Sequence, residues 1–372
     1  MATHATPAAS PRSRHLAAWG LLALAALGTI GLRHAPVSDA VATPAVAPPP
    51  LPELLSQTGL YRDPVQRQVD PELFEFSPQY PLWSDGTTKR RWLRLPPGTA
   101  IDASRSEAWQ FPPGTRLWKE FAYGRPVETR MIERLADGTW RFSAYVWNAD
   151  GSDAVLAPES GIDAVPLRGA PVSHYVIPSQ DDCRACHDGA EVPVLGVSAL
   201  QLSPDRDPLA PHASPPAHRE GELRALIARG WLRNAPASLL ETPPRIAARS
   251  ATERAALGYL HANCGHCHNT GEKAVPVRLA LAGHWRDGKL DAQTVLATAQ
   301  AFALRAPRGA DGTRASRIVP GDATASVLAQ RMRSRHPQTQ MPPIGTQLVD
   351  DAGLALVERW ITELPKPEDP TP

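Results

Sequence analysis

All four cysteines of this 372-residue chain lie in two pentads of one form, Cys183-Arg184-Ala185-Cys186-His187 and Cys264-Gly265-His266-Cys267-His268. Two thiols three positions apart can each add to a vinyl group of a haem while the adjoining imidazole reaches the iron from the same side. Two covalently bound haem c groups are therefore expected, and the rest of the chain has to surround, supply or position them. An exported protein normally pairs its cysteines as disulfides, but a disulfide does not need a His directly after each pair. Zinc is the competing reading, since two Cys-x-x-Cys knuckles can make a tetrahedral thiolate site, yet such a site requires neither adjoining His nor export.

In the second pentad Cys264 and Cys267 are the expected thioether anchors and His268 the proximal iron ligand. Its distal ligand is expected to be Met341, presented by the irregular Gln340-Met341-Pro342-Pro343 loop directly before the last helix. Met332, among Arg331, Arg333 and Arg335, reads instead as a packed residue at a helix end. A thioether raises the reduction potential relative to a second imidazole, so this is expected to be the higher-potential centre. His266, between the two cysteines, is expected to point away from the iron into solvent. In the first pentad Cys183 and Cys186 are the anchors and His187 the proximal ligand. No Met lies between His187 and Cys264, which leaves His174, His212, His218, His261, Met131 or an open position on the distal side.

The N-terminus has Arg12, Arg14 and His15, an uncharged apolar run from Leu16 to Leu32, and then Arg33 and an Ala/Pro-rich stretch. This is the layout of a secretory signal, with small residues at Ala40-Val41-Ala42 where a peptidase could cut, and it places the mature protein in the periplasm. The alternative is an uncleaved anchor over residues 16–32, the one route by which the chain would meet the membrane. No Cys follows the run, which removes a lipoprotein anchor. The balance of 39 Lys+Arg against 38 Asp+Glu offers no basic stripe for nucleic acid.

Beyond the leader (1–34) and linker (35–50), the pattern divides into three parts. Residues 51–171 carry Trp83, Trp92, Trp109, Trp118, Trp140 and Trp147 and recurrent Gly turns at Gly86, Gly98, Gly114, Gly138 and Gly151, with period-two alternation as in Trp140 to Trp147. That predicts short antiparallel strands in a sandwich or barrel, with the aromatics serving as core. Residues 172–246 hold the first pentad and a helix through Leu223, Leu226 and Ile227 that stops at Gly230. Residues 247–372 hold a helix opened by Ser250 and Glu253, the second pentad, a short helix after Ala325, and a last helix from Asp350 or Asp351 with Leu354, Val357, Trp360, Ile361 and Leu364 on its buried side. The expected fold is multidomain α+β, an N-terminal antiparallel β domain followed by a mainly α-helical haem region.

The run Tyr259 to His268, Val319-Pro320-Gly321-Asp322, Ser326-Val327-Leu328, Met341-Pro342-Pro343 and Trp360-Ile361 resembles a class I cytochrome c domain. The longer span, with Tyr80-Pro81-Leu82-Trp83-Ser84-Asp85-Gly86, Glu128-Thr129-Arg130, Tyr145-Val146-Trp147-Asn148 and the Cys183 pentad, resembles an uncharacterised family of exported bacterial dihaem c-type cytochromes. The resemblance implies an electron carrier whose redox partner is a quinoprotein sugar or alcohol dehydrogenase. It implies Cys183, Cys186 and His187, then Cys264, Cys267, His268 and Met341, as the haem residues. An enzymatic alternative is a dihaem peroxidase reducing hydrogen peroxide at the first haem, motivated by the missing Met there; a carrier is the favoured expectation. A third reading, a sugar-binding module tethered to a cytochrome, rests on the Trp-rich segment alone.

Overall fold

Each of the five predicted turn glycines, Gly86, Gly98, Gly114, Gly138 and Gly151, takes a left-handed φ between 70° and 85°, so the chain reverses where the Gly signals stand. Between the turns the alternation becomes strands. The computed structural model describes residues 48–167, 169–271, 279–282, 284–286, 289–291 and 316–366. The leader, with its alternative anchor at 16–32, and most of the linker lie outside the described residues. No helix among the described residues is long and apolar enough to cross a membrane.

A six-stranded antiparallel sheet dominates the first half. Its strands are β1 (Phe74–Glu75), β2 (Thr88–Arg94), β3 (Arg116–Tyr123), β4 (Arg125–Arg134), β5 (Trp140–Trp147) and β6 (Ala154–Leu156), paired in chain order as a meander. It is one open sheet, where a sandwich or barrel was expected, because the remaining strands pair off as small separate sheets. One of these is the hairpin of β7 (Ile162–Pro166) and β8 (His174–Ile177).

Pairing register sorts the side chains into two faces. Trp92, Trp118, Met131 and Ser143 lie in one cross-strand row, and Trp92, Trp118 and Met131 join Tyr145 and Trp147 in a buried cluster under the turn Leu55–Gln57. Trp118 Nε1 donates to Thr58 Oγ1 at 3.0 Å and Trp147 Nε1 to Thr129 Oγ1 at 3.0 Å. Trp92, Trp109 and Trp118 are core, each 1% exposed, which leaves no aromatic platform of theirs for a sugar, while Trp140 is half-buried against the same packing. The opposite face carries the row Arg91, Lys119, Arg130, Ala144 and the row Leu93, Leu117, Ile132, Phe142.

Helices α1 (Gln180–His187), α2 (Glu222–Ala228), α3 (Ser238–Glu241), α4 (Ala251–Asn263), α5 (Val327–Arg333) and α6 (Asp351–Glu363) follow, mostly in the C-terminal half. Ser250 caps α4 by accepting from Glu253 N, while the buried Glu253 carboxylate accepts from Arg249 N, the Arg249 guanidinium and Trp360 Nε1 instead of closing the expected box. The last helix has the predicted buried side, with Val357 and Ile361 fully buried and Trp360 at 1%. Helices α4 and α6 cross closely because Gly353 faces Tyr259, where a Cβ would stand 2.3 Å from the ring.

Cores cross the expected segment boundaries. Tyr80 and Leu200 join α4, α5 and α6 in one cluster, and Phe74, Leu93 and Trp109 join Leu202, Leu223 and Leu226 in another. The described residues from Pro48 onward group as a single compact unit.

Asp350 ties these parts together. Its carboxylate accepts from Gly353 N at 3.0 Å as the α6 cap, from Tyr259 Oη at 3.0 Å and from His212 Nε2 at 2.8 Å. Burial alone would raise this carboxyl, but those hydrogen bonds outweigh it and hold it below its ordinary value of 3.8. A depressed folded-state value means stability present above 3.8 and lost as pH falls through the lower folded value. Asp350→Ala is expected to cost about 1 kcal/mol for the cap and about 1–3 kcal/mol for the stranded Tyr259 hydroxyl at neutral pH. Denaturant titrations should show this loss shrinking in acid; a loss that stays constant with pH would refute the role.

Candidate functional site

The first pentad is set by its own capping box: Ser179 Oγ accepts from Asp182 N, and the Asp182 carboxylate accepts from Ser179 N at 3.0 Å. With α1 started there, Cys183, Cys186 and His187 fall on its last two turns. The helix lies against β5, where Gln180 Nε2 donates to Phe142 O at 2.6 Å and the His187 ring stands 4.9 Å from the Phe142 ring. His187 Nδ1 meets Pro193 O at 2.5 Å. A donor role there fixes the tautomer and leaves Nε2 with its lone pair, the second-shell arrangement that orients a metal-binding imidazole. Burial pushes the His187 ring down to about 4, so it is neutral at physiological pH.

The second pentad continues the C-terminus of α4. His268 N donates to Cys264 O at 2.8 Å, and Gly265 is required there because a Cβ would stand 2.5 Å from His261 O. His268 Nδ1 is buried without a hydrogen-bond partner, and Arg317 and Arg331 add to the burial that lowers this ring's pKa.

The two pentads pack side by side. Asn269 Nδ2 donates to Gly189 O at 2.9 Å and to Gly265 O and His266 O at 3.0 Å, and at Gly189 a Cβ would stand 2.7 Å from His266 O. The Cys186 and Cys267 thiols are neighbours that shift one another's acidity, and Cys267 Sγ donates to Ala185 O at 3.6 Å. The Cys267 thiol first, then burial, raises Cys186, while burial raises Cys183 to about 11 and Cys264 to about 12. No disulfide links them. His266 departs from expectation. It is half-buried with Nδ1 unpartnered and lies beside Cys186, because the docking of one pentad on the other covers it.

Both pentads open onto one cavity of about 960 Å³, at the top of the roughly 300–1,000 Å³ range of small-molecule sites. Cys183, Cys186, His187, His266 and Cys267 line it from the helical side and Phe142, Lys119 and Arg130 from the sheet. Cys264, His268 and Met341 are not on this wall. Met341 is half-buried, its N–H held by Arg331 O at 3.0 Å, and the loop that follows it, Pro342 to Gln347, returns to line the cavity. Asp85 pins that loop by accepting from Gln347 N and Leu348 N, each at 2.9 Å.

No family model, curated protein or solved structure matches this chain. The site's chemistry therefore stands on its own residues. The largely apolar cavity, the Cys183 and Cys186 thiols facing it and the Nδ1-anchored His187 suit one covalently attached porphyrin, which brings four of the iron's ligands itself. Among the described residues no group of three or more His, Cys, Asp or Glu side chains is gathered where it could hold a metal ion on its own.

For the distal position of the first site, the candidates separate clearly. Met131 borders the cavity, but its side chain packs on the other face of the sheet with Trp92 and Trp118. His212 is held by Asp350, and His218 Nε2 donates to Glu75 O at 2.8 Å while the ring stacks on Phe74 at 4.4 Å. His174, whose ring meets Ser173 Oγ, is not on the cavity wall, whereas His261 is. His261 Nε2 stands 3.9 Å from Glu107 Oε2, and burial takes its pKa down to about 4. The roles of Asp85, Asn269 and Gly189 carry no sequence signal beyond a turn or loop reading, because each acts through a contact to a distant segment, and Pro193 acts on His187 through its backbone carbonyl alone.

Proposed function

We propose that this chain is an exported dihaem c-type cytochrome that passes single electrons between a dehydrogenase and an acceptor. The observation that carries the reading is the docking of the two Cys-x-x-Cys-His pentads, with Cys186 against Cys267 at the edge of one apolar cavity. Each haem, when bound, supplies a one-electron ferric/ferrous couple. Cys183 and Cys186 would hold the first group and His187 Nε2 its iron. Cys264, Cys267, His268 and Met341 would hold the second. His261, which shares the cavity wall with His187, would be the second protein ligand of the first. His266, beside Cys186, would take no part in holding either iron. The crossing of α4 and α6, with a pentad at the end of α4 and the Met341 loop just before α6, supports a cytochrome c-type organisation of the C-terminal part. The donor class suggested by the resemblance is a quinoprotein dehydrogenase.

A redox titration with spectra resolving both haems tests this. Two low-spin centres, no carbon monoxide binding to the reduced protein and no peroxide turnover with an electron donor are expected. A reduced protein that binds carbon monoxide at one haem and turns over peroxide would replace the carrier with the dihaem peroxidase. In Met341→Ala the higher-potential component should fall and lose its thioether-ligand spectrum; an unchanged potential and spectrum would sink that assignment.

A further inference from the structure

The cavity-facing side of the sheet carries more positive charge than the protein balances. Lys89, Arg91, Lys119 and Arg130 lie on this face with one carboxylate among them, Glu128. Glu128 is committed to Arg130 by two bonds of 2.8 and 2.9 Å, and Lys89 Nζ donates to Thr87 O at 3.0 Å. Arg91 is 7% exposed, and among the described residues neither its guanidinium nor the Lys119 ammonium has a carboxylate partner. Lys119 has the Phe121 ring 4.8 Å away as its local company. Arg91, Lys119 and Arg130 all line the cavity that also holds Cys183, Cys186 and His187. Removing such cations from water costs several kcal/mol each unless an anion meets them, and the sheet could have used Leu in these positions as it does at Leu93 and Leu117.

The direction of the charge shifts agrees. Burial first, then Arg91 and Lys89, press Lys119 far below the ordinary lysine value, and burial takes Arg91 down to about 10. Electrostatically, Lys119 and Arg130 are already within reach of His187, and Arg130 of Cys183. An anion that satisfies this face therefore has to share the cavity with the first attachment pentad.

We infer that Arg91, Lys119 and Arg130 form a carboxylate seat for the propionates of the haem attached at Cys183 and Cys186. This rests on the dihaem reading above. The propionates are the carboxylates that would arrive with that group, and the seat gives them charge-assisted hydrogen bonds in a low-dielectric wall, where such bonds are strongest. Positive charge held there disfavours the oxidised, more positive centre, so the seat also sets the potential of the first haem.

Lys119→Met keeps the apolar stem and removes the charge; Lys119→Arg keeps the charge. Both are produced with the covalent-haem maturation machinery and compared with the unaltered protein by mass, redox titration and resonance Raman of the propionate bending modes. The inference predicts two haems per chain in every protein, a fall in the potential of the first haem alone and a shifted propionate mode in Lys119→Met, and near-original values in Lys119→Arg. Two attached haems with no change of potential or propionate mode in Lys119→Met would overturn the seat. So would a first-haem potential in the unaltered protein that tracks added phosphate or succinate, because the seat would then be open to free anions. Loss of both haems from the unaltered protein would fail the dihaem reading itself, an outcome distinct from failure of the seat.

Discussion

Glu128→Ala is expected to lose about 3–5 kcal/mol of stability, because it strands a buried guanidinium. Glu128 is fully buried and accepts two hydrogen bonds from Arg130 and one from Tyr175 Oη at 2.8 Å. Without it Arg130 would share its face with Lys119, Arg91 and Lys89 and no carboxylate side chain of the protein. The cost comes from the uncompensated charge, not from the missing contact. Replacing both partners, as in Glu128→Leu/Arg130→Leu, should therefore recover most of the loss. Equilibrium denaturant unfolding of the three proteins checks this; a single variant within about 1 kcal/mol of the parent would show that the pair is not what neutralises this wall.

Gly258→Ala should be nearly as damaging, although Ala favours a helix over Gly by about 1 kcal/mol. The added Cβ would stand 2.1 Å from Tyr80 Cε1 and 2.3 Å from Cζ. Tyr80 has little freedom to yield, being 2% exposed and bonded through its hydroxyl to Asp207 Oδ2 at 2.9 Å. Overpacking of this kind costs about 1–3 kcal/mol, and the fixed ring places it at the upper end. Steric cost thus outweighs propensity. The displacement would also pull on the neighbouring bond from Trp83 N to Asn263 Oδ1, 2.8 Å long, which holds the 80–86 segment to the end of α4. A Gly258→Ala/Tyr80→Leu double variant should lose less than the two single losses added together; strict additivity would mean that the ring and the helix do not meet as described.

How much was legible beforehand depends on whether the signal is local. The turn glycines, the alternation of β5, the Ser250 and Asp350 caps and the apolar side of α6 are near-neighbour patterns, and the structure reproduces them. Sheet architecture was less legible, because alternation says that a face is covered and not by what. One face of β5 meets the Trp cluster and the other meets α1 and the cavity, so a single sheet is covered on both sides without a second large sheet. The Tyr80 to Gly86 and Glu128 to Arg130 stretches entered as resemblance only. Their physical content is long-range: Tyr80 against Gly258, Asp85 on the loop after Met341, Glu128 between Arg130 and Tyr175. His266 is half-buried where solvent was expected for the same reason, since its cover comes from the other pentad.

The most direct measurement of the central claim is the haem content of the mature protein, made with and without the Cys183→Ala/Cys186→Ala pair of substitutions. Intact mass and the pyridine haemochrome should report two covalent haems per chain in the parent and one in the variant, with the Met-ligated spectrum retained by the one that remains. A parent protein that leaves the maturation machinery with no covalent haem, or a variant that still carries two, would contradict it.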